Sequence, residues 1–251
     1  MAGARETPAR SEPVGASGAG SVGASGSVLA GPARPAREPL SRARIIQAAL
    51  RILDREGLEA VSMRRLGREL GVEAMSLYNH VEDKDDILVG ILEAIVSELE
   101  IPTEGEPFAR LRTAALGFRA VLLRHPSAIP LFAEQRRTIV REPILRPVEA
   151  ALAALRQAGL SPEDAVHGYR ALVGYVLGYV AQEVAGIFTQ PEAFGLPPEQ
   201  MATALPATAF PTLIELLPEM ARCDPDEDFE FGLDLLLGGL RERAGRRRRR
   251  S

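Results

Sequence analysis

Residues 62 to 84 read SMRRLGRELGVEAMSLYNHVEDK, and this stretch decides the fold. Ser62 can cap a helix by accepting from the free amides of its first turn. Leu66 and Leu70 then fall one turn apart on a single apolar face, which makes a helix of about two turns. Gly67 sits where a second helix must cross closely. Gly71 follows Leu70 where the chain has to turn sharply, and a residue without Cβ turns there at no steric cost. Beyond this Gly71-Val72 turn, Leu77 and Val81 again lie four apart. That spacing leaves Ala74, Met75, Ser76, Tyr78, Asn79 and His80 on the outer face or at the helix ends. Two short helices joined by such a turn form a helix-turn-helix, and its outward residues are the ones available to DNA.

Upstream, ARIIQAALRILDREGLEAVSM supplies a first helix, with Ile45, Ile46, Ala49, Leu50 and Leu53 on one face and Gly57 at its end. Downstream, DDILVGILEAIVSELE predicts an amphipathic helix with Ile87, Leu88, Ile91, Leu92, Ile95 and Leu99 inward, ended by Pro102. From Phe108 to Arg243 no period-two alternation is sustained, and further helices are expected at about 107–124, 143–158, 162–188, 208–221 and 226–243. Ser161-Pro162-Glu163-Asp164 is a strong start signal: a capping serine, proline at the first helical position, and acids that complement the dipole. Pro126 and Pro130 bracket a short irregular or one-turn piece, and residues 189–206 read as a loop of the kind that often forms a lid. The fold class is therefore all-α. A three-helix helix-turn-helix domain at 40–86 precedes a larger helical domain at 87–243. A disordered arm (1–39), poor in large apolar groups, and an Arg-rich disordered tail (244–251) flank them.

With 251 residues and 46% hydrophobic content, the chain can bury a real core in one small and one larger domain. One Cys, Cys223, and three His exclude a disulfide framework and a Cys-rich zinc site. No apolar run is long enough to span a membrane or to act as a signal peptide, so no membrane partner and a cytoplasmic location are expected. The formal net charge of -4 is not that of a protein coating nucleic acid indiscriminately. DNA contact must come from a local basic surface: Arg34, Arg37, Arg42 and Arg44 around the first helix, Arg64, Arg65 and Arg68 on the second, and Lys84, the only lysine. No Ser-His-Asp elbow, HExxH motif, phosphate-cradling glycine loop or paired carboxylates appear, so an enzyme is not expected.

The pattern Leu-Gly-x-x-Leu-Gly-Val-x-x-x-Ser-Leu-Tyr-x-His-Val from Leu66 to Val81, with Lys84 after it, resembles the DNA-binding helices of the tetracycline-repressor (TetR) family. The segments GYRALVGYVLGYVAQE (168–183) and FEFGLDLLLGGLRER (229–243) resemble the C-terminal domain of the tetracycline repressors, extending the likeness over about residues 42–243. The resemblance implies that Ser62, Tyr78, His80 and Lys84 bind phosphates, while Arg64, Ala74, Met75, Ser76 and Asn79 face base edges; Met63, beside the capping serine, completes the expected DNA-binding set. Arg64 is the best candidate for direct readout, because a guanidinium fork bonds guanine O6 and N7 together. Ala74 and Met75 offer only apolar contact. Tyr78 and His80 in isolation would read as packing residues, but their spacing after Leu77 favours the outward role.

The resemblance also implies a homodimer through helices 162–188 and 226–243, hence a palindromic double-stranded DNA operator. Gly174, Gly178, Gly232, Gly238 and Gly239 are costly inside helices and fit a close helix approach at that interface. The expected function is a DNA-binding repressor released by a small-molecule effector, with an activator or a ligand-independent regulator of the same fold as the alternative. Phe118, Phe132, Tyr169, Tyr175, Tyr179 and Phe188 are candidates to wall the effector cavity, though aromatics at helical spacing are more often core. Neither cofactor nor metal is expected. The metal-dependent tetracycline site of the family would need ligands where this chain has Glu100, Pro130 and Gln182, and neither His125 nor His167 substitutes by spacing.

Overall fold

The computed structural model describes residues 39–133, 141–186, 200, 203–222 and 224–248, and among these the regular elements are helical, without strands. The arm expected at residues 1–39 lies, but for Pro39, outside the described residues. So do most of the loop expected at 189–206, Phe188 and Cys223.

The reading head begins with α1 (Arg42–Glu56), capped by Ser41, which accepts from the Arg44 amide, and ended by Gly57 at φ 83°. A single 3-10 turn, Leu58–Ala60, leads to α2 (Met63–Leu70). Ser62 caps α2 as expected, accepting from the Arg65 amide at 3.3 Å. Gly71 adopts the left-handed conformation, φ 67° and ψ 38°, and the Val72 amide reaches back to the Gly67 carbonyl at 2.9 Å. The second helix of the motif, α3 (Ala74–Leu77), is a single turn. It tightens into three-residue hydrogen bonds, Tyr78 amide to Met75 carbonyl and His80 amide to Leu77 carbonyl.

Helix α4 (Lys84–Val96) is capped by Asp83 and packs along α1. It stops short of Pro102, at Ser97. The Ser97 hydroxyl turns back onto the Glu93 carbonyl at 2.6 Å, and the amides of Glu98 and Leu99 find partners only three residues back. Gly90 lies against the Ile46 side chain so closely that no Cβ would fit without displacing it.

The remaining elements are α5 (Pro107–Arg124), a 3-10 turn Pro126–Ala128, α6 (Ile129–Ala133), α7 (Glu142–Gln157), α8 (Pro162–Val184), α9 (Pro211–Met220) and α10 (Pro225–Arg248). The predicted start of α8 is observed: Ser161 accepts from the Asp164 amide at 3.0 Å, with Pro162 in the first turn. At the other end the sequence expectation is corrected. Residues 244–248 continue α10 instead of joining a disordered tail, because Ala244 is buried against the domain core and Arg246 pairs with Glu242 one turn back.

Two apolar cores result. One joins Ile45, Ile52, Leu53, Leu66, Leu77, Ile87 and Ile91 with Leu131 of α6. The other joins Leu122, Leu155, Leu160, Val180, Phe229 and Leu233. Phe132 packs against both and meets Phe118 edge-on with ring centroids 5.6 Å apart, so the reading head and the larger domain are packed continuously. The second core is pinned by Arg119, only 7% exposed. It forks onto Glu183 at 2.7 and 3.0 Å, bonds Asp226 at 2.6 Å, and lies 5.0 Å from the Phe229 ring centre. One guanidinium thereby ties α5, α8 and α10 together.

A Cβ at position 67 would stand 2.9 Å from the Val72 carbonyl oxygen and 3.2 Å from the Ala74 amide nitrogen, backbone atoms that cannot rotate away. Gly67→Ala gains about 1 kcal/mol of helix propensity but forces α2 and α3 apart at a cost of about 1–3 kcal/mol. A lower Tm and weakened DNA binding are expected. An unchanged Tm with full DNA binding would show that the crossing tolerates a methyl group.

Candidate nucleic-acid interface and ligand cavity

The sequence-predicted residues lie on and around α2, the turn at Gly71, α3 and the start of α4. Arg64, Met75, Tyr78, Asn79, His80 and Lys84 are exposed, Met75 at 72%. Ser62, Met63, Ala74 and Ser76 are half-buried. Ser62 is occupied as a cap through its oxygen, which leaves its hydroxyl hydrogen to donate. Met63 packs partly on the core, and Ala74 lies over Gly67.

The arginines of α2 divide sharply. Arg65 is held by Glu56 at 2.5 and 3.0 Å and by Glu69 at 2.9 Å, and these hydrogen bonds raise its pKa. It is consequently not part of the local basic surface read from sequence. Arg64, Arg68 and Lys84 meet no carboxylate among the described residues, and the side chains of Tyr78, Asn79 and His80 have no protein hydrogen-bond partner there. A surface of donors without internal partners, adjacent to the capped N-termini of α2 and α4, is suited to phosphate oxygens and base edges.

Behind this surface, α4 connects the head to the rest of the chain. Asp86 in its first turn is buried and accepts from Arg42 of α1 at 3.0 Å and from Arg141, the residue before α7, at 2.8 Å. The same two arginines reach Glu93, one at 3.1 Å and the other at 3.3 Å. Burial alone would push the Asp86 carboxyl up, but hydrogen bonds from Arg42, the Glu82 amide and Arg141 outweigh it and hold the group below the ordinary carboxylate value. Near the far end of α4, His125 bridges Asp54 of α1 (2.9 Å to Nδ1) and Glu98 (3.1 Å to Nε2), and Arg124 also holds Glu98 at 2.7 Å. His125 is therefore a buried bridge, and it does not line the cavity of the larger domain.

That cavity, of about 210 Å³, lies between α5, α7 and α8, with Val96 and Leu99 at the end of α4 forming part of its wall. Of the aromatics read from sequence, Phe118, Phe132 and Tyr169 line it. Burial pushes the Tyr169 hydroxyl up, so it stays protonated at neutral pH and can donate. Tyr175 and Tyr179 do not line it, a correction with a clear cause. Both rings pack on Phe229, and their hydroxyls donate to the Phe229 and Pro225 carbonyls at 2.7 and 3.0 Å. Phe188 lies outside the described residues, and Glu100, Pro130 and Gln182 are absent from the lining. Sequence reasoning missed the alanines of α5 and α7, Ala114, Ala115, Ala150, Ala151 and Ala154, whose short side chains leave the space. It also missed Arg110. An alanine on a helix carries no mark of which way it faces, so no sequence signal pointed to them.

Residues 45–91 match the family model for bacterial regulatory proteins of the tetR family, and residues 101–244 match that for the tetracyclin repressor-like C-terminal domain. The chain is 31% identical to the HTH-type transcriptional repressor DrrR1 of Streptomyces coeruleorubidus, over 86% of this chain and 83% of that one. It is 36% identical to an HTH-type transcriptional regulator of Saccharopolyspora erythraea over 65% of this chain and 70% of the other. Among solved structures, ActR of Streptomyces coelicolor in complex with actinorhodin superposes with a TM-score of 0.70 at 31% identity, covering 81% of this chain and 96% of ActR.

Since Asp86 titrates lower in the folded than in the unfolded chain, its stabilisation is complete at neutral pH and is lost as the pH falls through its folded value. Asp86→Asn is expected to cost about 2 kcal/mol at pH 7. In denaturant titrations the gap from the parent protein should narrow once the pH drops below about 4. A gap of the same size at pH 7 and pH 3 would show that the charge is not what holds the junction.

Proposed function

From the chain's membership of the tetracycline-repressor (TetR) family of bacterial transcriptional regulators, we propose that it is a homodimeric repressor that reads a palindromic operator and is released by a small molecule bound in the cavity. DNA binding and response to a ligand are the common ground of its relatives; the dimer, the operator symmetry and the direction of the response are this proposal.

The observation that carries it is the position of α4. Its first residue, Lys84, stands on the donor surface, and its last turn and the residues just after it, Val96 and Leu99, wall the cavity. A 13-residue helix is about 20 Å long, so a ligand that displaces one end tilts the other relative to α3. A ligand favouring the tilted conformer withdraws the protein from DNA by its differential affinity for the two states. ActR, solved in complex with actinorhodin, supports a small-molecule ligand for a protein of this fold.

For DNA, Ser62, Tyr78, His80 and Lys84 are assigned to phosphates. Arg64, Ala74, Met75, Ser76 and Asn79 are assigned to base edges, with Met63 supporting the capping serine. For the dimer, α8 and α10 are the assigned surfaces. Cβ atoms at Gly174, Gly178, Gly238 and Gly239 would meet nothing within 4 Å, and Phe231 and Leu235 of α10 stand 68% and 64% exposed. Gly232 is the exception among the five glycines, because the Tyr175 ring of the same chain occupies its Cβ position.

Selection of genomic fragments by the purified protein at about physiological salt, followed by sequencing, tests the reading. A recurrent inverted repeat is expected, with half-sites about one helical turn apart. Weak, sequence-independent, salt-sensitive binding would sink it. In the same selection Arg64→Ala should relax preference at one position per half-site, about 1–3 kcal/mol of discrimination, whereas Lys84→Ala should weaken all sequences alike. If the selected motif is unchanged by Arg64→Ala, the readout assignment is wrong. For the dimer, Gly174→Leu adds a side chain whose Cβ meets nothing within 4 Å in the single chain, and it blocks a close helix approach. Sedimentation should show a shift from dimer to monomer with helical content kept, and an unaffected dimer would place the interface elsewhere.

A further inference from the structure

The cavity wall is apolar almost throughout: among its described lining residues only Arg110 and Tyr169 carry polar side-chain atoms. Arg110 also stands apart from the other arginines of α5. Arg112 pairs with Glu230 and Asp234, Arg119 with Glu183 and Asp226, and Arg124 with Glu98. Arg110 meets no carboxylate among the described residues. Its Nε donates to the Pro102 carbonyl at 2.9 Å and one terminal nitrogen donates to the Gln157 amide oxygen at 2.8 Å. Two neutral acceptors hold the fork in place without neutralising it, and the other terminal nitrogen has no acceptor among the described residues. A guanidinium fixed by neutral groups at the wall of an apolar space, with no carboxylate beside it among the described residues, is a preorganised anion recognition element.

We propose that the effector is an aromatic or polycyclic acid whose anionic group is bound by Arg110 while its rings occupy the apolar cavity. This rests on the reading of the cavity as the effector site and names the chemical class it selects. A cavity of 210 Å³ exceeds the roughly 150 Å³ that admits a benzene ring, which leaves room for fused rings. Phe118 and Phe132 supply flat apolar walls, and Tyr169 adds a neutral donor for a carbonyl or hydroxyl oxygen. The acid discriminates effectors from the many neutral hydrophobic compounds a purely apolar cavity would admit, because a neutral ligand that covers Arg110 leaves a charge desolvated and unpaired.

Two dyes with the same ring skeleton test the inference on the full-length protein: 8-anilinonaphthalene-1-sulfonate, which is anionic, and N-phenyl-1-naphthylamine, which lacks the sulfonate. Both fluoresce on entering apolar sites, and Ala151→Phe, which fills the cavity, locates them. The anionic dye should bind at least about tenfold more tightly than the neutral one. Arg110→Gln should bring it down to the level of the neutral dye, and Arg110→Lys should fall between. Equal affinity for the two dyes, an anionic dye indifferent to Arg110→Gln, or equal weakening of both by that variant would overturn the acid assignment while leaving the cavity as an effector site. If neither dye binds, or Ala151→Phe alters neither, the cavity reading falls and the inference falls with it.

Discussion

The Asp86 carboxylate, shared by Arg42 of the reading head and Arg141 of the larger domain, is the interaction on which the architecture turns. It is buried, so losing either arginine leaves a charge that water cannot fully reclaim. It also lies in the first turn of α4, two residues from Lys84. Glu93, two turns further along the same helix, repeats the arrangement with the same pair of arginines. The head is thus joined to the larger domain through oriented charges as well as through the apolar contact of Phe132, and oriented charges tolerate little change of angle. A junction of this kind favours a small number of discrete arrangements, which is what a DNA reader controlled from a distance requires.

The larger domain has a filled side and a side that leaves space. On the filled side, Arg119 gathers Glu183 and Asp226 around Phe229, and Tyr175 and Tyr179 close over the same ring with their hydroxyls bonded to backbone carbonyls. On the other side, the alanines of α5 and α7 line the cavity and leave space. The aromatic residues of α8 are split between these roles by their positions around the helix: Tyr169 faces the cavity, whereas Tyr175 and Tyr179, one turn apart, face α10.

The reading head was legible in the sequence down to single residues, because its determinants are local. The Ser62 cap, the left-handed Gly71 and the four-residue spacing of Leu77 and Val81 act within one or two turns, and each appears where the pattern places it. The starts of α5 and α8 were legible for the same reason, with proline at the first helical positions. The end of α10 was not. A run of arginines reads as a solvated tail, whereas burial of Ala244 and the Arg246–Glu242 pair carry the helix on to Arg248. The partnership of Arg65 with Glu56 was also hidden. Glu69 stands one turn along the same helix, a spacing the sequence already contained, but Glu56 lies on another helix, and no local pattern brings it to Arg65.

By itself, then, the amino-acid sequence determined the all-helical class, the helix-turn-helix with its outward residues, and the likeness to tetracycline repressors, all of which depend on periodicity, caps and turns within a few residues of one another. Tertiary structure alone decided which of the five interior glycines serve the chain's own packing. It also decided which aromatics wall the cavity, that Arg110 stands there with no carboxylate among the described residues, and that Asp86, Arg42 and Arg141 meet. The contacts that decide them include Asp86 with Arg42 and Arg141, Arg110 with Gln157, and Tyr175 with Phe229, all between residues more than 40 positions apart; they are fixed by the rotation of one helix against another, and no local pattern encodes that rotation.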